Sequence, residues 1–213
     1  MAEPLGLLGG TFDPVHYGHL RLAEEAREAL RLAQVAWIPA GRPPHRAPPC
    51  AAAIHRLEMV RLAVAGNDGF LVDDGEVRAD APSFTVVTLE RLRAQMPRRP
   101  LVLLLGADAF LGLPTWHRWE QVLELAHLGV AARPGFPLQP NTWPEALAQP
   151  CAGRFGSDAG VLRQSPAGRI VGFDMTPLPV SASGLRARLA AGRSARYLLP
   201  DAVREYIERH HLY

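Results

Sequence analysis

The chain has no lysine: all 23 of its basic side chains are arginine. That absence closes off a good deal of chemistry. Pyridoxal-type and aldolase-type Schiff bases, lysine-adenylylating ligases and the GxxxxGK[ST] phosphate loop all require an ε-amino group. The usage is otherwise rich in alanine, arginine and proline, as a genome-wide codon bias would produce, and the exclusion holds whatever its origin. Cysteine is nearly as scarce. Cys50 and Cys151 lie far apart in proline-rich surroundings, which rules out a CxxC metal or redox centre and argues against a disulfide framework. A reducing cytoplasm fits that usage. Excess charge is also missing. A formal net charge of +2 over 213 residues gives no reason to expect nucleic acid or a membrane surface as partner, although small anionic ligands remain compatible. No apolar stretch approaches the roughly 20 residues of a membrane span, and the short run after Met1 lacks the basic flank of a secretory leader. The expectation is a soluble, unprocessed, cytoplasmic protein. Finally, the dinucleotide fingerprint GxGxxG does not occur.

A hydrophobic content of 48% is ample for a buried core. Apolar runs of strand length occur at Leu5 to Leu8, Val35 to Ile38, Leu101 to Leu105, Leu128 to Ala132 and Ile170 to Phe173. Segments of helical period lie between or after them, at Leu20 to Leu32, Ala53 to Ala65, Val86 to Ala94 and Trp119 to Leu125. Such alternation predicts an α/β fold: a doubly wound, mainly parallel sheet with helices on both faces. Two closing helices are expected at Ser183 to Ala191 and Asp201 to His210, the second entered through Pro200. The whole chain, 1–213, reads as a single domain, with a helical part from about 181 to 213 packed on it. Two proline-rich stretches read as loops, 39–49 and 133–160. The first is a stiff arm carrying Arg42, His45 and Arg46; the second is an excursion rather than a linker, because the strand at 170 still needs a sheet to join.

The richest stretch is "GGTFDPVHYGH" at 9–19. Ligands of a parallel sheet bind beyond the carboxyl ends of its strands, and Gly9 and Gly10 leave the first strand there. Glycines let backbone N–H groups approach an anion while the following helix offers its positive end. His16 and His19, three apart, fall on one face if that helix has already begun. Each histidine also reads as a satisfied polar residue or a helix cap. A zinc pair is the weaker reading, since only Asp13 stands near as a third ligand. Strand, glycine pair and histidine pair in succession favour a phosphate site.

These residues carry a resemblance. "GGTFDPVHYGH" is similar to the (G/x)GxFxPxHxGH signature of the nucleotidylyltransferase superfamily, and "VSASGLRARL" at 180–189 to its second, (I/V)SSTxIR-like signature. Between them, "PPHR" at 43–46, "PSFT" at 82–85, "GADAF" at 106–110, "PTWHRW" at 114–119 and "RPG" at 133–135 stand in the order of the bacterial nicotinate-nucleotide adenylyltransferases. With the ending "LLPDAVREYIERHHLY", the resemblance spans essentially the whole chain. The departures are Ser183 where threonine is common, Gly184 at the variable position and Phe84 where tyrosine is frequent. Ser183 retains a hydroxyl for capping; Gly184 in a first helical turn weakens helix propensity by about 1 kcal/mol relative to alanine.

The resemblance implies a Rossmann-like fold and transfer of AMP from ATP to the phosphate of nicotinate mononucleotide, giving nicotinate adenine dinucleotide and pyrophosphate, a late step of NAD biosynthesis. It implies Mg²⁺ bound through the ATP phosphates. It places His16, His19 and Arg186 at the reacting phosphates, and assigns Gly9, Gly10, Thr11, Phe12, Gly106, Asp108 and Ser183 to ATP. To the acceptor it assigns His45, Arg46, Thr85, Trp116 and Arg133. Taken alone, Arg186 reads equally as part of a solvated helix face beside Arg188, Trp116 as a core aromatic and Thr85 as a cap. Near alternatives are a relative acting on nicotinamide mononucleotide or another phosphorylated acceptor, or a silent nucleotide-binding module. A homo-oligomer is left open.

Overall fold

The computed structural model describes residues 3–44, 48–132 and 138–213. Seven strands make one sheet: β1 (Leu5–Gly10), β2 (Gln34–Pro39), β3 (Phe70–Val72), β4 (Leu101–Gly106), β5 (His127–Ala132), β6 (Phe155–Gly156) and β7 (Ile170–Asp174). Their order is β3-β2-β1-β4-β5-β7-β6 and every pairing is parallel. The helices are α1 (Tyr17–Ala29), α2 (Ala53–Val64), α3 (Gly75–Arg78), α4 (Thr85–Gln95), α5 (Ala107–Leu111), α6 (Trp119–Leu125), α7 (Glu145–Ala148), α8 (Ala182–Ala190) and α9 (Asp201–Arg209). Among the described residues, no helix is long and apolar enough to cross a membrane.

The unbroken apolar strands are explained by burial on both faces. Side chains alternate along a strand, so Leu101, Leu103 and Leu105 of β4 enter one core with Val86, Leu89 and Leu92 of α4, Phe110 of α5 and Val122 of α6. Val102 and Leu104 enter the other core, which α1, α2, α8 and α9 cover through Ala23, Ala26, Met59, Val60, Leu185, Val203 and Ile207. This is the doubly wound arrangement expected, and the closing helices bury their apolar sides in the same core as the first helix.

All five expected strands and six expected helices are present, with shifted ends. α1 begins at Tyr17, three residues ahead of its apolar period, and α8 begins at Ala182. Two short edge strands, β3 and β6, are additions. The excursion after β5 is more than a loop. Its described part carries α7 and sends Trp143, Leu147 and Cys151 into the core that Leu103 and Phe110 share.

The strand order also fixes the switch point of the sheet. β1 leads rightward or leftward at the switch in strand order: its own crossover goes to β2, while β4 lies on its other side. β1 stays paired with β2 to Gly10↔Pro39, whereas its pairing with β4 ends at Leu7↔Leu103. Past that point the two strand ends are no longer laced together. The topological switch point of such a sheet is where its ligand crevice forms.

Candidate active site

The loop leaving β1 crosses this crevice. Gly9 faces open space, with no atom of the described residues beyond its chain neighbours within 4 Å of where a Cβ would stand, whereas a Cβ on Gly10 would lie 2.8 Å from the Phe12 ring. Phe12 turns under the loop with φ of 50°, is buried, and meets Trp37 below and the edge of His19 above at ring-centre distances of 5.4 and 5.1 Å. An aromatic plug thus holds the glycine pair at the surface while the backbone stays accessible. The Asp13–Pro14 peptide is cis.

His16 is not inside the first turn but precedes it, in extended conformation, as the residue capping α1. His19 lies one turn on. Their rings stack at 3.8 Å and 25°, so the spacing does bring them to one place, although as a stacked pair. The backbone N–H of His16 donates to His19 Nδ1 at 3.3 Å. In the neutral ring, that assigns the proton of His19 to Nε2. His16 is buried, and burial pushes its pKa down to about 4. Its Nδ1 is sealed from solvent and has no hydrogen-bond partner among the described residues. An orphaned buried polar atom costs about 1–3 kcal/mol and calls for an explanation, of which a functional site is one.

The second signature meets the first here. Arg186 Nη1 donates to the main-chain carbonyl of Asp13 at 2.7 Å and lies 3.8 Å from its carboxylate. The site for a Cβ on Gly18 lies 3.6 Å from the carbonyl of Val180. One expectation is corrected. The α8 cap is Ser181, whose Oγ accepts the N–H of Gly184 at 3.2 Å. Ser183, already in the helix, has an exposed side chain 3.4 Å from that hydroxyl. A cap must stand outside the turn whose N–H it accepts, and Ser183 lies one residue too far along. The glycine at 184 suits the cap, since a Cβ there would stand 3.1 Å from Ser181 Oγ.

Three residues whose roles composition did not reveal hold the loop. Asp13 is buried, and its carboxylate accepts the N–H of Cys50 at 2.8 Å, that of Ala51 at 3.1 Å and the hydroxyl of Tyr213 at 2.6 Å. The carboxylate is thereby occupied as a brace. Arg56, fully buried on α2, donates to the carbonyls of Ala51, Thr11 and Gly41 at 3.1, 2.7 and 3.0 Å. Burial pulls its pKa down and the charge of Asp13 opposes that; a guanidinium remains charged regardless.

On the other side of the crevice, Gly106 ends β4 and caps α5, putting Asp108 in the exposed first turn of that helix. The "PSFT" and "PTWHRW" segments come together, with the rings of Phe84 and His117 at 4.4 Å. Thr85 is the first residue of α4 rather than its cap, which is Phe84. Trp116 is half-buried against the core beneath α4 and α6. His45, Arg46 and Arg133 lie outside the described residues.

A glycine loop over an aromatic plug, a stacked histidine pair at a helix start and an arginine from a second helix thus meet at the switch point of a parallel sheet. The chain belongs to the cytidylyltransferase-like family, whose model matches residues 7–187. Among similar proteins, a "probable nicotinate-nucleotide adenylyltransferase" of Dechloromonas aromatica (strain RCB) is 58% identical over 214 residues, covering 100% of this chain and 99% of that protein. One of the same description from Acidithiobacillus ferrooxidans is 50% identical over 211 residues, covering 99% and 96%. In fold, the chain is similar to Plasmodium falciparum nicotinic acid mononucleotide adenylyltransferase complexed with NaAD. The TM-score is 0.73 at 16% identity, over 99% of this chain and 97% of that one.

Proposed function

We infer that this chain is a nicotinate-nucleotide adenylyltransferase, joining the AMP moiety of ATP to the phosphate of nicotinate mononucleotide in the cytoplasm. The observation that carries the reading is the meeting of Arg186 with the loop of His16 and His19, together with relatives of that description along the full chain.

The reaction suits this inventory of donors. An oxygen of the acceptor phosphate attacks the α-phosphorus of ATP, and the bond to the β-phosphate oxygen breaks, leaving with its electron pair as pyrophosphate. The second pKa of a phosphate monoester is about 6, so the attacking group arrives largely as a dianion and no side chain need take a proton. What remains is to align two polyanions and stabilise the charge around the reacting phosphorus. In this reading His16, His19, the backbone of Gly9 to Phe12, Ser183 and Arg186 serve the triphosphate. Gly106 and Asp108 take the adenosine side, with Asp108 accepting from a ribose hydroxyl. Mg²⁺ enters with ATP as part of the substrate. In this reading phosphate oxygens and water supply its ligands, as is usual for Mg²⁺ carried by a nucleotide. On the acceptor side, the N–H groups at the start of α4 and Thr85 face the ring carboxylate and Trp116 the pyridine ring, with His45, Arg46 and Arg133 contributing to the nucleotide phosphate.

Incubation with ATP, Mg²⁺ and nicotinate mononucleotide should release pyrophosphate and form the dinucleotide. Nicotinamide mononucleotide and a phosphopantetheine acceptor in parallel should react far more slowly. Release with neither pyridine nucleotide refutes the reading, and faster release with the amide replaces the acceptor.

A further inference from the structure

The ATP-side loop and the start of α4 are joined by a continuous run of hydrogen bonds that involves neither proposed substrate. Arg56 Nη1 donates to the carbonyl of Thr11, in the loop after β1, and its Nη2 to the carbonyl of Gly41, in the loop after β2. Gly41 N–H and Arg42 N–H both donate to Ser83 Oγ, at 2.9 and 3.1 Å, and Ser83 N–H returns a bond to the carbonyl of Arg42 at 2.9 Å. Ser83 stands two residues before Thr85, where α4 begins. Gly41 leaves no slack at the middle of this run. A Cβ there would stand 2.1 Å from the carbonyl oxygen of Glu76.

The chemistry of Arg56 marks it as a brace. It is a fully buried cation whose hydrogen bonds go to main-chain carbonyls, and among the described residues no carboxylate lies within ion-pair distance. Burying a charge is costly and its hydrogen bonds recover that cost only when several donors are used at once. The planar fork reaches three carbonyls on two connections, Thr11 after β1 and both Gly41 and Ala51 between β2 and α2. An ammonium at the same place, a compact point charge, cannot span them.

We propose that Arg56 and Ser83 are positioning residues that couple the two substrate subsites, so that ordering of the ATP loop by one substrate orders the acceptor helix start for the other. This rests on the adenylyltransferase reading. It goes beyond it in assigning to two residues without substrate contact the cooperativity between substrates. A coupling of this kind is a free energy shared by two sites and is reciprocal; its evidence is measured coupling, not the path itself.

The test is a two-ligand binding cycle on the intact protein by calorimetry. Affinity for nicotinate mononucleotide is measured with and without a saturating, unreactive α,β-methylene analogue of ATP with Mg²⁺. In the unmodified chain, the analogue should tighten acceptor binding by at least about fivefold, the lower end of common couplings. In Arg56→Lys and Ser83→Ala that ratio should fall to below about twofold, with kcat reduced more than KM is raised. The affinity for the analogue alone should stay within about threefold, which also reports that each variant is folded. Ser83→Thr, which keeps the hydroxyl, should restore the ratio. A ratio near one in the unmodified chain, or an unchanged ratio in both variants, overturns the proposal. Binding of the analogue with no binding of nicotinate mononucleotide overturns the adenylyltransferase reading instead, and the coupling with it.

Discussion

Arg186 hydrogen-bonds through Nη1 to the main-chain oxygen of Asp13, 2.7 Å away and 173 residues earlier in the chain. One contact thereby seats an arginine of the penultimate helix over the loop that leaves the first strand. The same Asp13 is gripped by Tyr213 and by the N–H groups of residues 50 and 51. The two signatures are distant in sequence because they belong to the two ends of the fold, and they meet because both ends pack on the same face of the sheet.

Replacing Arg186 separates charge from geometry. Arg186→Lys keeps a cation but loses the fork that can hold the Asp13 carbonyl and a phosphate together. Turnover should drop by at least about 10²-fold, as for loss of a donor that serves the transition state, with thermal unfolding little changed because the side chain is 30% exposed. Near-normal turnover returns Arg186 to a surface role.

Gly9 and Gly41 should respond to alanine in opposite ways. At Gly9, alanine meets nothing within 4 Å, so stability should hold within about 1 kcal/mol. Its methyl group would occupy the space where the ATP phosphates approach, raising KM for ATP by at least about tenfold, roughly 1.4 kcal/mol. At Gly41 the methyl would collide with the Glu76 carbonyl, and Gly41→Ala should lose more than about 2 kcal/mol of stability. Denaturant unfolding and initial-rate kinetics on the two variants check both.

How much of this could be read beforehand depended on the kind of signal. Strands buried on both faces appear as apolar runs, so five of the seven were legible. β3 and β6, of three and two residues, are too short to show any period. Within the excursion, Trp143, Leu147 and Cys151 do recur at a spacing of four, a helical signal masked by surrounding proline and glycine. The histidine pair and Arg186 were legible as motifs. Arg56 was not, since an arginine in a helix is ordinarily solvated. Its place three and four residues before buried Met59 and Val60 on α2 was the only mark of the inward face. Asp13 reads in the sequence only as a weak zinc ligand, and nothing local joins it to Tyr213.

Tyr213→Phe tests that long-range tie. The hydroxyl donates to a buried carboxylate at 2.6 Å, and burial together with the Asp13 charge holds its own pKa well above the usual tyrosine range. Loss of a hydrogen bond to a charged group should cost about 1.5–3 kcal/mol, read as a lower denaturation midpoint with an unchanged slope. A change below about 0.5 kcal/mol would show that the contact contributes nothing.

Acid should destabilise the protein through His16. Its folded pKa of about 4 lies below the unfolded value of 6.5, so the unfolded chain binds the proton first as pH falls. The stability is fully present above about pH 6.5 and is lost progressively towards pH 4, a contribution on the order of 3 kcal/mol. Buried His127, whose pKa burial also lowers, adds in the same direction. Ring resonances followed by NMR should show His16 neutral from pH 5 upward. A His16 titration near 6.5 contradicts the assignment.

The account turns on which atoms are joined. Nicotinate mononucleotide carrying ¹⁸O on its phosphate, incubated with unlabelled ATP and Mg²⁺, should give a dinucleotide that retains all of the label and pyrophosphate that carries none. Label in the pyrophosphate, or pyrophosphate released at the same rate without any acceptor, contradicts attack by the acceptor phosphate on the α-phosphorus of ATP.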